Sequence, residues 1–289
     1  MLDKFISYLQ FEKRYSEHTV IAYTNDLSQF ISFAELVSIT EFSSLSPAFL
    51  RSWIVELIEN GCTNKSVNRK LASLRTFYKW LRKEGLATTN PLLKLKGPKS
   101  EKRLPSFAKE SELHESKLSV YFSDDFNGLR DELMVEIFYQ TGIRLSELIH
   151  LKDVNVSKDS IKVLGKRNKE RIIPIMPSLF KKINAYRNLR NNTCGPTPTL
   201  FVLQNGNILY PAFVYRKINQ YLGAATQLDK KSPHVLRHTF ATHMLNRGAG
   251  LETLKDLLGH ANLAATQIYT HNSFAQLTKV YSQAHPRGK

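Results

Sequence analysis

The segment from Asn64 to Glu84 constrains the fold most, because its apolar residues recur at helical spacing along its whole length. The apolar positions step by four, three, four and three residues, which predicts a helix with one buried stripe. They are Val67, Leu71, Leu74, Tyr78 and Leu81. Asn64 is placed to act as the N-cap, and Gly85 to end the helix in a left-handed conformation.

Further helices are predicted upstream of this one. Ser16 can cap a helix whose apolar positions run through residues 20–34, and Pro47 begins another that stops at Gly61. Asn90 precedes a proline, which ends the block. The sequence therefore predicts an all-helical domain over residues 1–96, with about four helices.

A second domain follows a candidate linker at 97–110, GPKSEKRLPSFAKE, which combines two prolines, a glycine and mixed charge. Residues 160–164 and 171–175 have a strand pattern and predict a β-hairpin with a basic tip. The rest of 111–289 is helical in pattern, with helices near 111–122, 127–140, 177–191, 211–226, 233–247, 251–258 and 263–272. The fold class is therefore mainly α with a small β-hairpin, and a chain of 289 residues suits two domains.

The charge balance indicates a polyanionic partner. The chain holds 41 Lys and Arg against 25 Asp and Glu, a net charge of +16. Residues 1–64 carry 4 basic and 8 acidic side chains, whereas 65–103 carry 12 basic and 2 acidic ones. This concentration predicts a phosphate-contacting helix face, although a solvated face stays open as the alternative. The candidate DNA-binding residues are Lys65, Arg69, Lys70, Arg75 and Lys79.

The sequence contains neither a membrane-spanning segment nor a secretion signal. The apolar runs are too short for a transmembrane helix, and the first residues lack the pattern of a signal peptide. Cys62 and Cys194 are the only cysteines and lie far apart, and this spacing argues against a disulfide framework or a cysteine zinc site and fits a reducing cytoplasm. We therefore expect a cytoplasmic protein that binds no membrane.

The segment 232–248, SPHVLRHTFATHMLNRG, begins a helix with Ser232 and Pro233. His234 and Arg237 are three residues apart in its first turns, where the positive helix end also favours an anion. This predicts a phosphate pocket, with a surface histidine and an ion-paired arginine as the alternative. His234 and His238 do not form an HExxH motif, and Arg237 beside them disfavours a cation, so no metal site is predicted.

Three other fragments carry residues that could do chemistry. Arg144 and Glu147 lie three apart in TGIRLSEL, so the carboxylate can hold the guanidinium in place. A surface ion pair is the alternative, but an arginine flanked by Ile and Leu predicts partial burial and a need for an anion. His260 follows a helix end in LLGH, and Tyr269 lies nine residues further on.

Together these fragments resemble the tyrosine recombinases, and most closely the Xer-type site-specific recombinases. The motifs are TGIRLSEL at 141–148, GKRNKERIIPI at 165–175, HVLRHTFATH at 234–243, LLGH at 257–260 and IYTH at 268–271. The ending, VYSQAHPRGK, is similar too, and the resemblance covers essentially the whole chain. It implies a SAM-like core-binding domain and an α+β catalytic domain that form a C-shaped DNA clamp.

The resemblance also implies roles for individual residues. Arg144 and Arg237 resemble the pair that clamps the scissile phosphate, and Tyr269 resembles the nucleophile. Lys166 resembles the lysine that protonates the leaving 5′ oxygen, and Glu147 would position Arg144. His234 and His260 resemble the two histidines that assist through hydrogen bonds and proton transfer. Arg167 stands where the family often has a second glycine, and Lys169 shares the hairpin tip, so either lysine could serve.

The implied reaction is metal- and ATP-independent strand exchange on double-stranded DNA through a 3′-phosphotyrosyl intermediate, with no cofactor. The implied assembly is a homo- or hetero-tetramer on two DNA sites, with a possible septal DNA translocase. Residues 274–281 are the candidate for a C-terminal helix that docks on a neighbouring subunit, with packing on its own subunit as the alternative. The expected role is resolution of chromosome dimers at a dif-like site.

Four other functions remain as alternatives. The same residues could serve a compact mobile-element integrase or a type IB-like relaxing enzyme. A DNA-binding protein without catalysis would explain the charge but not the six candidate catalytic residues at family spacing. A metal-dependent nuclease could use Asp124, Asp125, Asp131 or Glu136, but such carboxylates more commonly cap or decorate helices.

Overall fold

The computed structural model describes residues 2–100, 106–165, 170–259 and 271–288, without the side chains of 271–273. The chain divides into two compact units, Met1–Arg103 and Leu104–Lys289. The division falls inside the stretch 97–110 that we assigned as a linker. Within the described residues, helices dominate and the strands form one antiparallel pair, so the predicted fold class is confirmed.

The first unit is helical. Its α-helices are α1 (Asp3–Ser7), α2 (Glu17–Phe33), α3 (Pro47–Glu59) and α4 (Asn64–Lys83), with a π-helical turn at Tyr8–Glu12 and a 3₁₀ turn at Thr40–Ser44. The predicted apolar stripe of α4 is confirmed, since all five of its residues are buried. The cap differs from the prediction: the hydroxyl of Thr63, and not Asn64, accepts from the backbone N–H of Ser66.

An aromatic cluster fills the core of this unit. Phe77 of α4 lies edge-on to Phe5 and to Phe42, with ring centroids 4.9 Å apart in each case. The hydroxyl of Tyr78 donates to the carbonyl of Phe42 at 2.8 Å, which satisfies a buried polar group. Each fully buried aromatic ring contributes about 2–3 kcal/mol of transfer free energy, so α4 supplies a large part of the stability of this unit.

The second unit packs helices around a hairpin. Its helices are α5 (Glu115–Leu118), α6 (Phe126–Thr141), α7 (Leu145–Ile149), α8 (Pro177–Cys194), α9 (Pro211–Ala225), α10 (Pro233–Asn246), α11 (Leu251–Leu258) and α12 (His271–Ala284). Strands β1 (Ser160–Leu164) and β2 (Glu170–Pro174) pair antiparallel, with Ser160 opposite Pro174 and Leu164 opposite Glu170. The second strand begins one residue earlier than predicted, and α8 runs three residues further.

Helix α6 lies at the centre of this unit and is buried around nearly its whole circumference. It contacts α8 on one side and α10 on another. It ends at Gly142, whose left-handed backbone (φ +59°) turns the chain toward α7. A Cβ at Gly142 would lie 2.5 Å from Phe240 in the middle of α10 and 2.9 Å from Leu258 of α11, so the ends of α6 and α11 pack closely against α10 at this glycine.

Helix α12 packs within the second unit of its own chain. Leu277, Tyr281 and Ala284 are buried in the core of that unit. The hydroxyl of Tyr281 donates to the carbonyl of Gln140 at 3.0 Å, and the ring of His285 hydrogen-bonds the carbonyl of Tyr139 at 3.3 Å. Docking of residues 274–281 on a neighbouring subunit stays a prediction. Among the described residues, no helix combines the length and hydropathy that a membrane span needs.

Candidate active site

The start of α10 presents two of the predicted site residues. Ser232 has the extended backbone of an N-cap, although its side chain makes no capping bond, and Pro233 occupies the first helical position. His234 is exposed in the first turn, and Arg237 lies one turn later and is half-buried. The predicted spacing therefore places both side chains at the same end of α10.

Arg237 is bound to two helix ends. Its Nη1 donates to the carbonyl of Gly142 at 2.5 Å, and its Nη2 donates to the carbonyl of Leu258 at 2.8 Å. Burial, followed by repulsion from Arg144 and Arg171, lowers the pKa of Arg237 to about 10, against attraction from Glu147. The guanidinium is still charged at neutral pH, and a nearby anion would relieve this repulsion.

Arg144 lies at the start of α7, in extended backbone. Its backbone N–H donates to Oε2 of Glu147 at 2.7 Å, and its Nη1 donates to Oε1 of the same residue at 2.8 Å. Nη2 reaches the carbonyl of Gly259 at 3.0 Å. The side chain of Arg144 is 25% exposed, so it can still meet a ligand from solvent. The expected pairing of Glu147 with Arg144 is present, and the arginine is partly buried.

A third arginine belongs to this cluster, and the sequence analysis missed it. Arg171 of β2 is 5% exposed and makes two parallel hydrogen bonds to Glu147, both of 2.8 Å. Its Nε donates to the carbonyl of Leu257 at 2.8 Å. The signal was in the strand pattern, because Arg171 alternates with Ile173 on the buried face. A charge on a core-facing position needs a charged or hydrogen-bonding partner.

The three arginines converge on the C-terminal end of α11. The carbonyls of three consecutive residues each accept one of them: Leu257 from Arg171, Leu258 from Arg237 and Gly259 from Arg144. A helix C-terminus carries a partial negative charge, so cations stabilise it there. The cluster thus ties together the ends of α6, α7, α10 and α11 with strand β2.

The cluster has an excess of positive charge. Three guanidinium groups face one carboxylate, Glu147, whose side chain is 3% exposed. Burial alone would raise the pKa of Glu147, but the hydrogen bonds and charge of Arg171, and then of Arg144, lower it to about 2. With Glu147 ionised, three positive groups and one negative group leave a net charge of +2 around Arg144 and Arg237. Such an arrangement suits an oxyanion such as a phosphodiester.

Several predicted site residues lie outside the described residues: Lys166 and its alternative Lys169, His260 and Tyr269. The described chain stops after Gly165 and resumes at Glu170, and it stops after Gly259 and resumes at His271. Within the described ranges, no group of three or more His, Cys, Asp and Glu side chains is placed to hold a metal ion.

Three of the four carboxylates considered for a nuclease, Asp125, Asp131 and Glu136, have structural partners. Asp125 caps α6 by accepting from the N–H of Gly128 at 2.7 Å. Asp131 pairs with Arg130 and Lys217, and Glu136 pairs with Arg287. These contacts explain the three carboxylates as helix-cap and core ion-pair groups.

The basic face of α4 differs from the expectation at one residue. Lys65 and Lys79 are exposed, and Arg69 is half-exposed while it pairs with Asp26. Lys70, however, is buried against the carboxylate of Asp26, at 3.3 Å, and the side-chain amide of Gln29. Lys70 was predicted to contact DNA, but its ammonium is used to neutralise a buried carboxylate.

Arg75 is the remaining candidate on this face. It is half-buried and donates to the carbonyl of Leu95 at 2.8 Å. Of the five candidates on α4, Lys65, Arg69 and Lys79 therefore present their charge to solvent, and Arg75 does so in part.

The chain is similar to known proteins in family, in sequence and in structure. The model of the phage integrase family matches residues 113–276, and that of the phage integrase N-terminal SAM-like domain matches residues 2–85. A similar relative is the tyrosine recombinase XerC of Anoxybacillus flavithermus. It is 37% identical over 296 residues, which cover 99% of this chain and 97% of the relative.

Similar solved structures include two DNA complexes. The XerH site-specific recombinase bound to palindromic difH substrate is 20% identical, with a TM-score of 0.71 over 97% of this chain and 83% of that chain. The Tn1549 transposon integrase in complex with transposon right end DNA is 19% identical, with a TM-score of 0.71 over 96% of this chain and 98% of that chain. At these identities the two likenesses describe the fold.

Proposed function

The chain belongs to the phage integrase family as a Xer-like tyrosine recombinase, a site-specific DNA strand transferase, and from this premise we propose that it resolves chromosome dimers at a dif-like site. The similarity to XerC along nearly the full length of both chains supports this role over that of a mobile-element integrase. The chromosomal substrate would place the protein in the cytoplasm.

The proposed catalytic activity rests on one observation: Arg144 and Arg237 donate hydrogen bonds to the carbonyls of two consecutive residues, Gly259 and Leu258, at the end of α11. Two guanidiniums held in this way can donate to the non-bridging oxygens of one scissile phosphate. Their charges neutralise the phosphate before attack and stabilise the phosphorane that forms. Removing one such preorganised donor typically costs about 100- to 1000-fold in rate.

The remaining roles follow the family pattern. Tyr269 is proposed as the nucleophile: its proton passes to one of the two histidines, its phenol oxygen bonds to phosphorus, and the bond from phosphorus to the 5′ oxygen breaks. Lys166, or Lys169 beside it, supplies the proton that the departing 5′ oxygen takes up. A phenol has a pKa of about 10, so only a small fraction of it is ionised at neutral pH. Positive charges beside the phenol would favour the phenolate. His234 and His260 assist by hydrogen bonding and proton transfer, and neither metal nor ATP takes part.

Double-stranded DNA is the proposed partner, and the exposed cations of α4 contribute phosphate contacts. Lys65, Arg69 and Lys79 face solvent on this helix, and residues 65–103 carry a net charge of +10. Strand exchange requires two duplexes, so we propose a tetramer of identical or paired recombinase subunits on two sites. A septal DNA translocase is proposed as a further partner of this assembly.

The test is covalent trapping. The full chain is incubated in EDTA with nicked suicide duplexes tiled across the replication-terminus region, and SDS-resistant adducts are counted. We expect an adduct with the wild type and with Tyr121→Phe, a matched control at an exposed tyrosine, and none with Tyr269→Phe.

An adduct that survives in Tyr269→Phe would assign the nucleophile elsewhere. Adducts that form only when a divalent metal is supplied would point to a different reaction. Adducts that form on the ends of an integrated element, and on no terminus duplex, would replace chromosome-dimer resolution by element integration.

A further inference from the structure

The buried arginine of β2 has no role in the mechanism above, although it makes more bonds to Glu147 than Arg144 does through its side chain. We infer that Arg171 is a positioning residue for strand cleavage, which holds Glu147 and the C-terminal end of α11 in one frame. This inference rests on the proposed function, since it concerns how the phosphate-binding arginines are oriented.

The bonds of Arg171 are arranged as a bridge between three elements. Two of its nitrogens donate to the two oxygens of Glu147 in α7, and the third donates to the carbonyl of Leu257 in α11. Its backbone belongs to β2, opposite the buried Val163 of β1. A planar guanidinium with three bonded nitrogens fixes both partners in direction as well as distance.

Arg171 also leaves Arg144 available for a ligand. The carboxylate of Glu147 accepts two hydrogen bonds from Arg171. It accepts two more from Arg144, one from the side chain and one from the backbone N–H. The described bonds of the Arg144 side chain use two of its N–H groups, one to Glu147 and one to Gly259. Without Arg171, the carboxylate would be free to form a two-bond pair with Arg144, and that pair would compete with the phosphate.

The close approach of Arg171 also explains why a glycine, Gly259, stands in the LLGH motif. Gly259 has a left-handed backbone, φ +64°, and a Cβ at this position would lie 3.0 Å from Cδ of Arg171 and 3.4 Å from its Nε. Glycine therefore permits both the turn that ends α11 and the close approach of Arg171. Arg171 therefore also holds the backbone at Gly259, the residue that directly precedes His260 in the sequence.

The test compares Arg171→Lys with Arg190→Lys in the full chain. Lysine keeps the positive charge but cannot make two parallel bonds to Glu147 and a third to Leu257. Arg190 is the matched control, because it is 1% exposed and bridges Asp153 to the carbonyls of Thr199 and Leu200 in the same unit.

The first readout needs no DNA. Amide hydrogen exchange is followed in peptides over residues 144–149 and 251–259. We expect exchange there to become about tenfold faster in Arg171→Lys, because the N–H of Arg144 and the end of α11 lose their fixed partners. Arg190→Lys should leave these peptides unchanged. Equal exchange in Arg171→Lys and the wild type would overturn the inference.

The second readout is the rate of adduct formation at saturating DNA. Arg171→Lys should lower this rate on the order of 100-fold, as a small misplacement of a positioned group does, while DNA affinity stays within about twofold. The double variant Arg171→Lys/Glu147→Gln should be no slower than Glu147→Gln alone, because both changes remove one linkage. Additive losses, or an equal loss in Arg190→Lys, would show that Arg171 is only part of the core.

The two proposals fail in different ways. A wild type that forms no adduct on any duplex contradicts the proposed function, and the exchange measurement still decides whether Arg171 orders Arg144. Normal adducts from Arg171→Lys contradict the positioning role and leave the proposed function intact.

Discussion

Gly142 offers a sharp test of how closely α6, α10 and α11 are packed against one another. Replacing it with alanine adds a single Cβ at a left-handed position, φ +59°. That Cβ would lie 2.5 Å from Cδ1 of Phe240 and 2.9 Å from Cδ2 of Leu258, well inside van der Waals contact. The left-handed backbone costs about 1–2 kcal/mol for a residue with a Cβ, and overpacking a tight core costs about 1–3 kcal/mol more.

Gly248→Ala is the matched control for the backbone part. Gly248 also has a left-handed backbone, φ +87°, but a Cβ built there meets no atom within 4 Å apart from its immediate chain neighbours. It should therefore lose only the conformational cost of about 1–2 kcal/mol. The difference between the two variants isolates the packing cost at Gly142, about 1–3 kcal/mol.

The assay must report on the second unit alone, because two units with separate cores need not unfold together. Both tryptophans, Trp53 and Trp80, belong to the first unit, so their fluorescence monitors that unit as an internal control. Hydrogen exchange of α6 and α10 peptides in a urea series measures the second unit. We expect the urea midpoint of the second unit to fall further in Gly142→Ala by about 1 M, given a typical urea dependence of about 1–3 kcal/mol per molar. Equal losses in the two variants would refute the close approach of α6, α10 and α11.

Two other predictions concern the charged groups. The pKa of Glu147 is lowered from 4.5 to about 2, so its contribution, about 3 kcal/mol, is present above about pH 5 and is lost as the pH falls toward 2. The stability gap between the wild type and Glu147→Gln, measured by urea at pH 7 and pH 3.5, should therefore narrow, and a constant gap would contradict the pairing. Lys70→Met should destabilise the first unit by about 1–3 kcal/mol, because buried Asp26 loses a partner, whereas Lys79→Met should leave its stability within about 0.5 kcal/mol. In DNA-binding titrations, Lys79→Met should lower the number of counterions released on binding, read from the salt dependence of the affinity, by about one. If Lys70→Met lowered that number by one instead, the ammonium of Lys70 would have to lie at the surface.

Periodicity predicted the elements well, because burial follows the geometry of helix and strand. The stripe of α4 and the alternation in β1 and β2 are both direct consequences of where successive Cβ atoms point. The ends of elements were less accurate. Capping can pass to a neighbour, as from Asn64 to Thr63, and the end of α8 at Cys194 depends on contacts outside the helix.

Periodicity could not predict which residues of other helices or strands pair with a buried charge. Lys70 lies beside Val67, Leu71 and Leu74 on α4, and Arg171 lies two residues before Ile173, so both occupy core-facing positions. Periodicity shows that such a charge must be neutralised, but it does not name the residue that neutralises it. Asp26 is 44 residues from Lys70, and Glu147 is 24 residues from Arg171. Only the packing of separate elements brings each pair together.

The two buried clusters differ in their charge balance, and this difference separates a structural cluster from a binding site. The carboxylate of Asp26 has two cations, one of them half-exposed to water, so little positive charge is left uncompensated inside the unit. Glu147 faces three guanidiniums, and the partial negative charge at the end of α11, about half an elementary charge, offsets only part of the excess. The lowered pKa of Arg237 expresses that burial and repulsion. A bound phosphodiester would supply the missing negative charge, so the site should be more stable with DNA than without it, and the gain should be lost in Arg237→Met.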